Sequence, residues 1–562
     1  MTMISMSFFL GRQVIMRRFA STTLFLLLGA CVSSSEQPLQ PACENIAPIF
    51  ADFAGTDNPG FAVAVAVNGE VQCTQNFGAA DLETKEPISD ATRFNLASVS
   101  KALTAWAATS LSASGEYDLD APLSRYLPDA PAYARDVTSR QMLNHTSGIR
   151  DTGTMYIMAG RSASEPISNT DGLALLHRQA ALNFPAGDRY LYSNSGYLLT
   201  ALAMEAATHR SFSSLTQQLV FDPAGLTGAA IMDTPGSMPA GSAKSYVFDG
   251  EATVWHLIPH SAGTVGSTNA YASAGDLAKW GLHFLAAMRE GDARAQQMVA
   301  PARLNDGQSV AYGMGLELTQ YRGQTVFMHS GSESGYRSIL ILLPEKGIVV
   351  TVLGNGSQRP QPLAEKVLDV LFDDAFSEPA PRRTPSPGAS LDEQAVARLT
   401  GFYEFEAGRD AQIIHEGNTI LVAVDPFGML PMEAVSDTEL LHAPSQVRIS
   451  FSDLDGTRFN SMTLTGVGPA AEARRVDVST SPVETIPTGA FYSEELGSEY
   501  ELAVLDGTLS IVMAGQPPIP LTALDNGRYI FAPFGLCIEF ESSDSFLLST
   551  WRVKNLKFTR RE

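Results

Sequence analysis

The chain has 562 residues, 60 of them acidic and 38 basic, for a formal charge of −22. That charge argues against nucleic acid as a partner, because a polyphosphate would be repelled. The length and the 44% apolar content predict two to four globular domains.

Residues 1–30 read as a secretory signal rather than as part of the fold. Arg17 and Arg18 precede an apolar run, Phe19 to Leu28, that ends in L-G-A-C. The run is too short to span a bilayer permanently. Met16 is an alternative start, since residues 1–15 add nothing that a signal needs. L-G-A-C resembles the bacterial lipobox, which implies lipidation at Cys31 and a chain anchored to a membrane rather than spanning it. Residues 31–42 then form a tether, flexible over Val32 to Gln40. The expected location is the bacterial envelope, outside the cytoplasm and facing the periplasm, where disulfides persist. Cys43 and Cys73 flank the first predicted helix and strands; they either pair or stand as two thiols. With Cys537 they show no metal-ligand spacing.

Phe61 to Val67 (F-A-V-A-V-A-V) predicts a buried strand. Asn68-Gly69 and the returning run Val71 to Asn76 make a hairpin. F-N-L-A-S-V-S-K follows, placing Ser98 and Lys101 three apart at the start of a helix that runs to about Ala113. Positions i and i+3 share a helix face. Gly172 to Ala181, Gly196 to Thr208 and Ala274 to Met288 also read as helices, the last beginning near Asp276. Thr325 to Met328, Ser338 to Leu343 and Ile348 to Leu353 read as adjacent strands, and Pro360 to Phe372 as a closing helix. Strands at both ends with helices between predict an α/β sandwich over 43–375, its antiparallel sheet built from both ends.

Residues 376–392 carry P-A-P-R-R-T-P-S-P-G, a Pro-rich linker. Beyond it, apart from a helix at Leu391 to Leu399, short alternating runs replace helices. The pattern opens at Gly401 (G-F-Y-E-F-E-A-G) and again at Gly489 (G-A-F-Y-S-E-E-L-G), about ninety residues apart. Each opening leads to a turn, at Gly417-Asn418 or Asp506-Gly507, then an alternating strand, then Pro before an apolar residue. Two small antiparallel β-barrel domains are expected, 393–482 and 483–562, each managing its edges by closure.

S-x-x-K alone is a weak signal. It is followed in order by L-N-H-T-S-G-I at Leu143 to Ile149, by Y-L-Y-S-N-S-G-Y with Tyr192 and Asn194, and by M-H-S-G-S with His329, Gly331 and Ser332. In that order, the segment from about Cys43 to Phe372 resembles the penicillin-recognising serine hydrolases. That group includes class C β-lactamases, D-alanyl-D-alanine carboxypeptidases, D-aminopeptidases and related esterases. The resemblance matches Ser98 and Lys101 to the first motif, Tyr192 and Asn194 to the second, and His329 and Gly331 to the third. Two β-barrels after the catalytic domain resemble the D-aminopeptidases in particular.

The chemistry can also be built from the residues. A serine hydroxyl needs an adjacent base. Burial disfavours charged Lys101, and a nearby cation favours the Tyr192 phenolate. The two form a coupled pair that takes the Ser98 proton, and which of them is the base stays open. Backbone N–H groups bind the oxyanion; the resemblance implies those of Ser98 and Ser332, with Asn194 positioning substrate and holding Lys101. Class C β-lactamases have Lys where this chain has His329. An imidazole with an unperturbed pKa of about 6.5 is mostly neutral at pH 7 and attracts a substrate carboxylate less.

The expectation is a serine hydrolase with an acyl-enzyme at Ser98, acting on D-amino-acid peptides or small acyl esters ahead of β-lactams. A protein that binds penicillin or cell-wall fragments without turnover is the alternative. No cofactor or metal is called for. His256 and His260 are four apart, but Pro259 between them spoils helical metal spacing. His145 is expected to hold a loop; Arg337 is divided between an anionic substrate and the surface. Trp255, Tyr271 and Trp280 are expected in the core. In the D-aminopeptidases a loop of the last barrel reaches the active site and restricts the substrate's amino end; the resemblance implies Ala514 to Pro520 as that loop by position, but it carries no carboxylate to pair with an ammonium, so that specificity is not carried over.

Overall fold

Seven consecutive apolar residues, Phe61–Val67, form strand β1, which is buried along its whole length. Such a strand needs cover on both faces. Asn68 and Gly69 both take positive φ, 58° and 84°, and turn the chain back into β2, Glu70–Phe77. The computed structural model describes residues 39–161, 165–250, 252–376, 391–405, 410–417, 419–424, 428–442, 447–465, 470–479, 486–513 and 515–561. The signal, Cys31 and the rest of the tether up to residue 38, and most of the Pro-rich linker lie outside the described residues. Among the described residues no helix is long and apolar enough to cross a membrane.

The helical layer contributes α1, Ser100–Ser114; α2, Thr152–Met158; α3, Asn194–Thr208; and α4, Ala274–Glu290. The helix expected at Gly172 to Ala181 runs instead over Asn169–His177. Ser168 and Asp171 form a reciprocal capping box that sets its start earlier. Four further strands follow: β3, Glu317–Tyr321; β4, Gln324–Glu333; β5, Tyr336–Leu343; and β6, Ile348–Gly354. Helix α5 is Gln361–Phe372. The sheet order is β3-β4-β5-β6-β1-β2, antiparallel throughout. The two ends of the domain therefore meet at β1 and β6, as expected.

Alternation along β1 divides the two faces. Ala62, Ala64 and Ala66 join the core beneath α4, while Phe61 packs on Phe50 and Phe53 of the segment Cys43–Phe53. Gly281 lets α4 sit close to the sheet, because a Cβ there would lie 2.6 Å from Val349 Cγ1. Cys43 and Cys73 are paired in a disulfide, their Cα atoms 5.5 Å apart, which ties that segment to β2. Cys537 remains a buried thiol.

After Glu393–Leu399, eight strands from Gly401–Glu404 to Ala471–Val476 close a barrel among the described residues. The repeat seen in the sequence has a physical counterpart. Gly401 and Gly489 both take positive φ, and the residue before each, Thr400 or Thr488, accepts a hydrogen bond from an arginine of the last strand. Arg475 then lies over Tyr403 and Arg560 over Phe491, two residues after each glycine. The second barrel departs from the expected closure. Its nine-stranded sheet begins and ends at Ile519–Pro520 and Thr522–Ala523, neighbours in the chain, and is one ladder short of a closed barrel. Pro517 and Pro518 precede the first of these end strands, and Pro520, within it, has no N–H to donate to a further ladder.

Candidate active site

Ser98 sits in the 3-10 turn Ala97–Val99, which runs straight into α1. Ala97 has φ of 46°, a left-handed conformation that costs a non-glycine residue about 1–2 kcal/mol. Its surroundings hold it there. Ala97 N–H donates to Asn95 Oδ1 at 2.7 Å, and buried Asn95 donates onward to Asn269 Oδ1 at 3.1 Å. One turn later Lys101 is fully buried. Its Nζ lies 3.1 Å from Ser98 Oγ, 2.8 Å from Asn194 Oδ1 and 2.9 Å from the Ser267 carbonyl. Burial pushes the amine well below its ordinary value; Arg552 adds to this, while Asp151 and Glu333 oppose it.

Tyr192 shares a hydrogen bond with Ser98, and Lys101 Nζ is 4.8 Å from its ring centre. Burial raises the phenol above its ordinary value, outweighing the Ser98 hydrogen bond and the Arg552 charge that favour phenolate. His145 fixes the segment around it: Nδ1 accepts from Ser193 N–H at 3.1 Å, and its carbonyl accepts from Leu191 N–H at 2.9 Å. Its ring lies 4.2 Å from that of Tyr192. Asn194 opens α3, and its N–H donates to Asp151 Oδ2 at 2.7 Å. Asp151 in turn caps α2 by accepting from Thr154 N–H at 2.9 Å.

The third motif lies on β4. Gly331 is required by packing: a Cβ there would stand 2.1 Å from Ser338 Oγ and 2.5 Å from the Leu96 carbonyl. The strand thus lies directly against the turn that carries Ser98, and Ser332, the next residue, borders the same cavity as Ser98. His329 is 2% exposed. A carbonyl only accepts, so Nδ1 donates to Ser330 O at 2.7 Å; Nε2 is left to accept from Tyr312 OH at 3.0 Å. Burial, with help from Lys101, pushes the imidazole down to about 3. It is neutral, with a partner on each nitrogen. Arg337 holds the β4–β5 turn through Ser334 O and Tyr336 O at 2.9 and 2.7 Å, while still bordering the cavity.

The structure therefore brings Ser98, Lys101, Tyr192, Asn194, His329, Gly331 and Ser332 together. The candidates His256, His260, Trp255, Tyr271 and Trp280 lie outside the lining of the cavity that Ser98 borders. His256 is exposed beside Asp249, and His260 hydrogen-bonds with Asn269 in the interior. Among the described residues no three His, Cys, Asp or Glu side chains gather as ligands. Trp280 and Tyr271 are fully buried, and Trp255 donates to Asn58 Oδ1 at 3.1 Å.

The second barrel does reach the site, but through a different loop from the one expected. A cavity of about 2530 Å³ is lined by Ser98, Tyr192, Asn194, His329, Gly331 and Ser332 and by residues of both barrels. None of residues 515–520, the loop expected there, lines it. The loop that does lies between Ser545–Ser549 and Leu556–Arg560. It places the Arg552 guanidinium 4.7 Å from the Tyr192 ring centre. The Arg552 carbonyl accepts from Asn183 Nδ2 at 3.0 Å and from Asp151 N–H at 3.4 Å. Buried Arg150 pairs with Glu495 of the barrel and donates to Lys554 O at 2.8 Å.

Fold and site together define a serine hydrolase of the β-lactamase-related group. The Beta-lactamase family model matches residues 46–371, more than half of the chain, and the chain belongs to that family. Penicillin-binding protein 4* of Bacillus subtilis (strain 168) is 25% identical over 411 residues, 69% of this chain and 89% of that protein. A D-aminopeptidase of Gluconobacter oxydans (strain 621H) is 28% identical over 351 residues, 61% of this chain. That match spans 64% of the D-aminopeptidase, less than two thirds of its length. The octameric penicillin-binding protein homologue from Pyrococcus abyssi superposes with a TM-score of 0.51 at 20% identity, over 76% of this chain and 97% of that one, a likeness of fold.

Proposed function

We propose that Ser98 is the nucleophile of an acyl-enzyme mechanism acting on amides or esters, with D-amino-acid peptides or small acyl esters as substrates. The observation that carries this is Lys101: a buried amine, biased toward its neutral form, 3.1 Å from Ser98 Oγ. The neutral amine has a lone pair for the hydroxyl proton. Tyr192, kept protonated by burial, then hands a proton to the leaving amine or alcohol and is reprotonated through Lys101. Oγ attacks the carbonyl carbon, and the oxyanion is held by the N–H groups of Ser98 and Ser332. The C–N or C–O bond breaks, and water attacks the acyl-enzyme along the same proton path in reverse. Asn194 keeps Lys101 in place and lines the substrate channel.

The intact Ser–Lys–Tyr set supports turnover over mere binding. Neutral His329 supports a peptidase or esterase over a β-lactamase. The relatedness to a D-aminopeptidase over part of its length supports the D-amino-acid side of the reading. The Cys43–Cys73 disulfide supports an oxidising location outside the cytoplasm, in keeping with an exported chain lipidated at Cys31.

Ser98→Ala is expected to abolish labelling by a fluorescent fluorophosphonate or penicillin while the circular dichroism spectrum stays unchanged. Undiminished labelling removes Ser98 as the nucleophile. A chromogenic ester separates the enzyme from a sensor: steady turnover supports the enzyme, and a single burst with no following rate supports the sensor.

A further inference from the structure

Strand β3 opens on an acidic residue that the Ser98 chemistry does not use. Glu317 and Thr319 share one face of the strand, and both border the cavity of Ser98, as do Met328 and Val326, their partners on β4. Leu318, on the other face, packs against the core. A tight turn before the strand fixes the position of Glu317. Gly313 N–H donates to Leu316 O at 2.9 Å and Leu318 N–H to Ala311 O at 3.0 Å, so that Tyr312 and Glu317 face each other across an antiparallel bridge. The turn rests on α1: at Gly315, with φ of 73°, a Cβ would lie 2.6 Å from the Lys101 carbonyl oxygen.

Among the described residues no hydrogen bond or ion pair reaches the Glu317 carboxylate, and burial alone raises it, to about 7. Burial raises the Tyr190 and Tyr192 phenols, and the Glu317 charge adds to that rise at both. Tyr190 borders the cavity, is 38% exposed, and has its ring 5.8 Å from that of Tyr312, which borders the cavity too. Glu333, a second carboxyl on the cavity wall, differs: it follows Ser332, and Lys101 and Arg337 partly offset the effect of its burial.

We propose that Glu317 is a specificity-determining residue that recognises a positively charged nitrogen on the departing alcohol or amine of the Ser98 substrate. The inference rests on the assignment of Ser98 as nucleophile and of Tyr192 as proton donor to the leaving group. Tyr192 meets the departing atom, so that part of the substrate lies on the Tyr192 side of Ser98, where Tyr190, Tyr312 and Glu317 border the cavity. An unpaired carboxylate among aromatic rings suits an ammonium or a quaternary nitrogen. Opposite charges attract strongly where water is scarce, and the rings attract a cation through their π-systems. The arriving cation in turn favours the ionised carboxyl.

The test uses the full chain at about pH 8, where a carboxyl at about 7 is mostly ionised. Acetylcholine is compared with 3,3-dimethylbutyl acetate, which has the same shape with carbon in place of the charged nitrogen, by titrating the acid released. Choline and 3,3-dimethylbutanol are compared as competitive inhibitors of p-nitrophenyl acetate hydrolysis, a reading that does not need acetylcholine to be cleaved. The wild type is expected to favour acetylcholine in kcat/KM and to bind choline more tightly than the neutral alcohol. Glu317→Gln is expected to lower kcat/KM for acetylcholine by at least about tenfold, mostly through KM, to weaken choline alike, and to affect the neutral ester clearly less. Glu317→Asp keeps the charge on a shorter arm and is expected to retain part of the preference. A wild type without preference in either comparison overturns the inference. So does an equal loss on both esters, which would make Glu317 a support for Tyr312, and so does a preference that Glu333→Gln removes and Glu317→Gln leaves. Ser98→Ala keeps the two levels apart. If it still cleaves p-nitrophenyl acetate, the nucleophile assignment fails. If it is inactive while Glu317→Gln leaves the preference intact, only the role of Glu317 fails.

Discussion

At Lys101, burial and three oxygen partners pull in opposite directions. The oxygens favour an ammonium and burial disfavours one; burial prevails, and the amine is held well below its ordinary value. As a base it works only unprotonated, so kcat/KM falls as pH drops through its lowered pKa and levels off above it. The acid limb for a small ester is therefore expected well below the ordinary lysine value of about 10.4. A limb at 10 or above in the pH–rate profile would show that the free amine is not the base. Ser98, Lys101, Tyr192, Asn194, His329, Gly331 and Ser332 were legible because each lies in a short motif whose spacing reflects one element. Asp151, Tyr312 and Arg552 were not. Their positions depend on contacts between distant segments, and nothing beside them in the chain marks the pairing. Nor did the motifs show which member of the Lys101–Tyr192 pair is biased toward the unprotonated form. That balance depends on how deeply each group is buried.

Among the elements, β4 is the one that does the most to shape the site. Its middle must approach the Ser98 turn more closely than any side chain allows, and Gly331 makes this possible. In Gly331→Ala the new methyl meets Ser338 Oγ and the Leu96 carbonyl. Because Ser338 Oγ donates to that carbonyl at 2.6 Å, the methyl also disrupts the bond that steadies the turn. Overpacking of this kind costs about 1–3 kcal/mol. The variant is expected to show a lower melting temperature in calorimetry and a drop in kcat of at least about tenfold on any ester. Full activity would mean that β4 and the turn can separate without harm. The strands themselves were readable, since F-A-V-A-V-A-V followed by N-G has few other folded outcomes. The unclosed edge of the second barrel was less so. Its three prolines were visible, but whether they face a ladder or solvent depends on the curl of the whole sheet.

On the scale of the molecule, the two barrels are attached differently. The first has its own apolar core, whereas Phe491, Tyr500, Leu548 and Phe558 of the second belong to the same buried cluster as Trp106 and Leu198 of the catalytic domain. The ion pair Arg150–Glu495 lies at that junction, with side chains 3% and 10% exposed. Removing one partner of a buried pair strands the other, at about 3–5 kcal/mol. Glu495→Ala is expected to lower the unfolding midpoint, to speed proteolysis within 489–560 and to reduce turnover. An unchanged midpoint would show that apolar packing alone holds the barrel. The repeat that announced two barrels was legible in Gly401 and Gly489, but it gave no sign that their attachments differ. A ladder pattern describes a barrel's interior, not the surface on which it docks.

The position of Arg552 also has a consequence in time. A ribosome makes Ser98, Tyr192 and His329 long before it makes the loop between Ser545–Ser549 and Leu556–Arg560. At about 5–20 residues per second, roughly 10–45 s separate His329 from Arg552. Ser98 and Lys101 are thus in hand while one wall of the cavity does not yet exist. A nascent or truncated chain carries Ser98 without one wall of its cavity, so the closed shape of that cavity is a property only of the finished polypeptide.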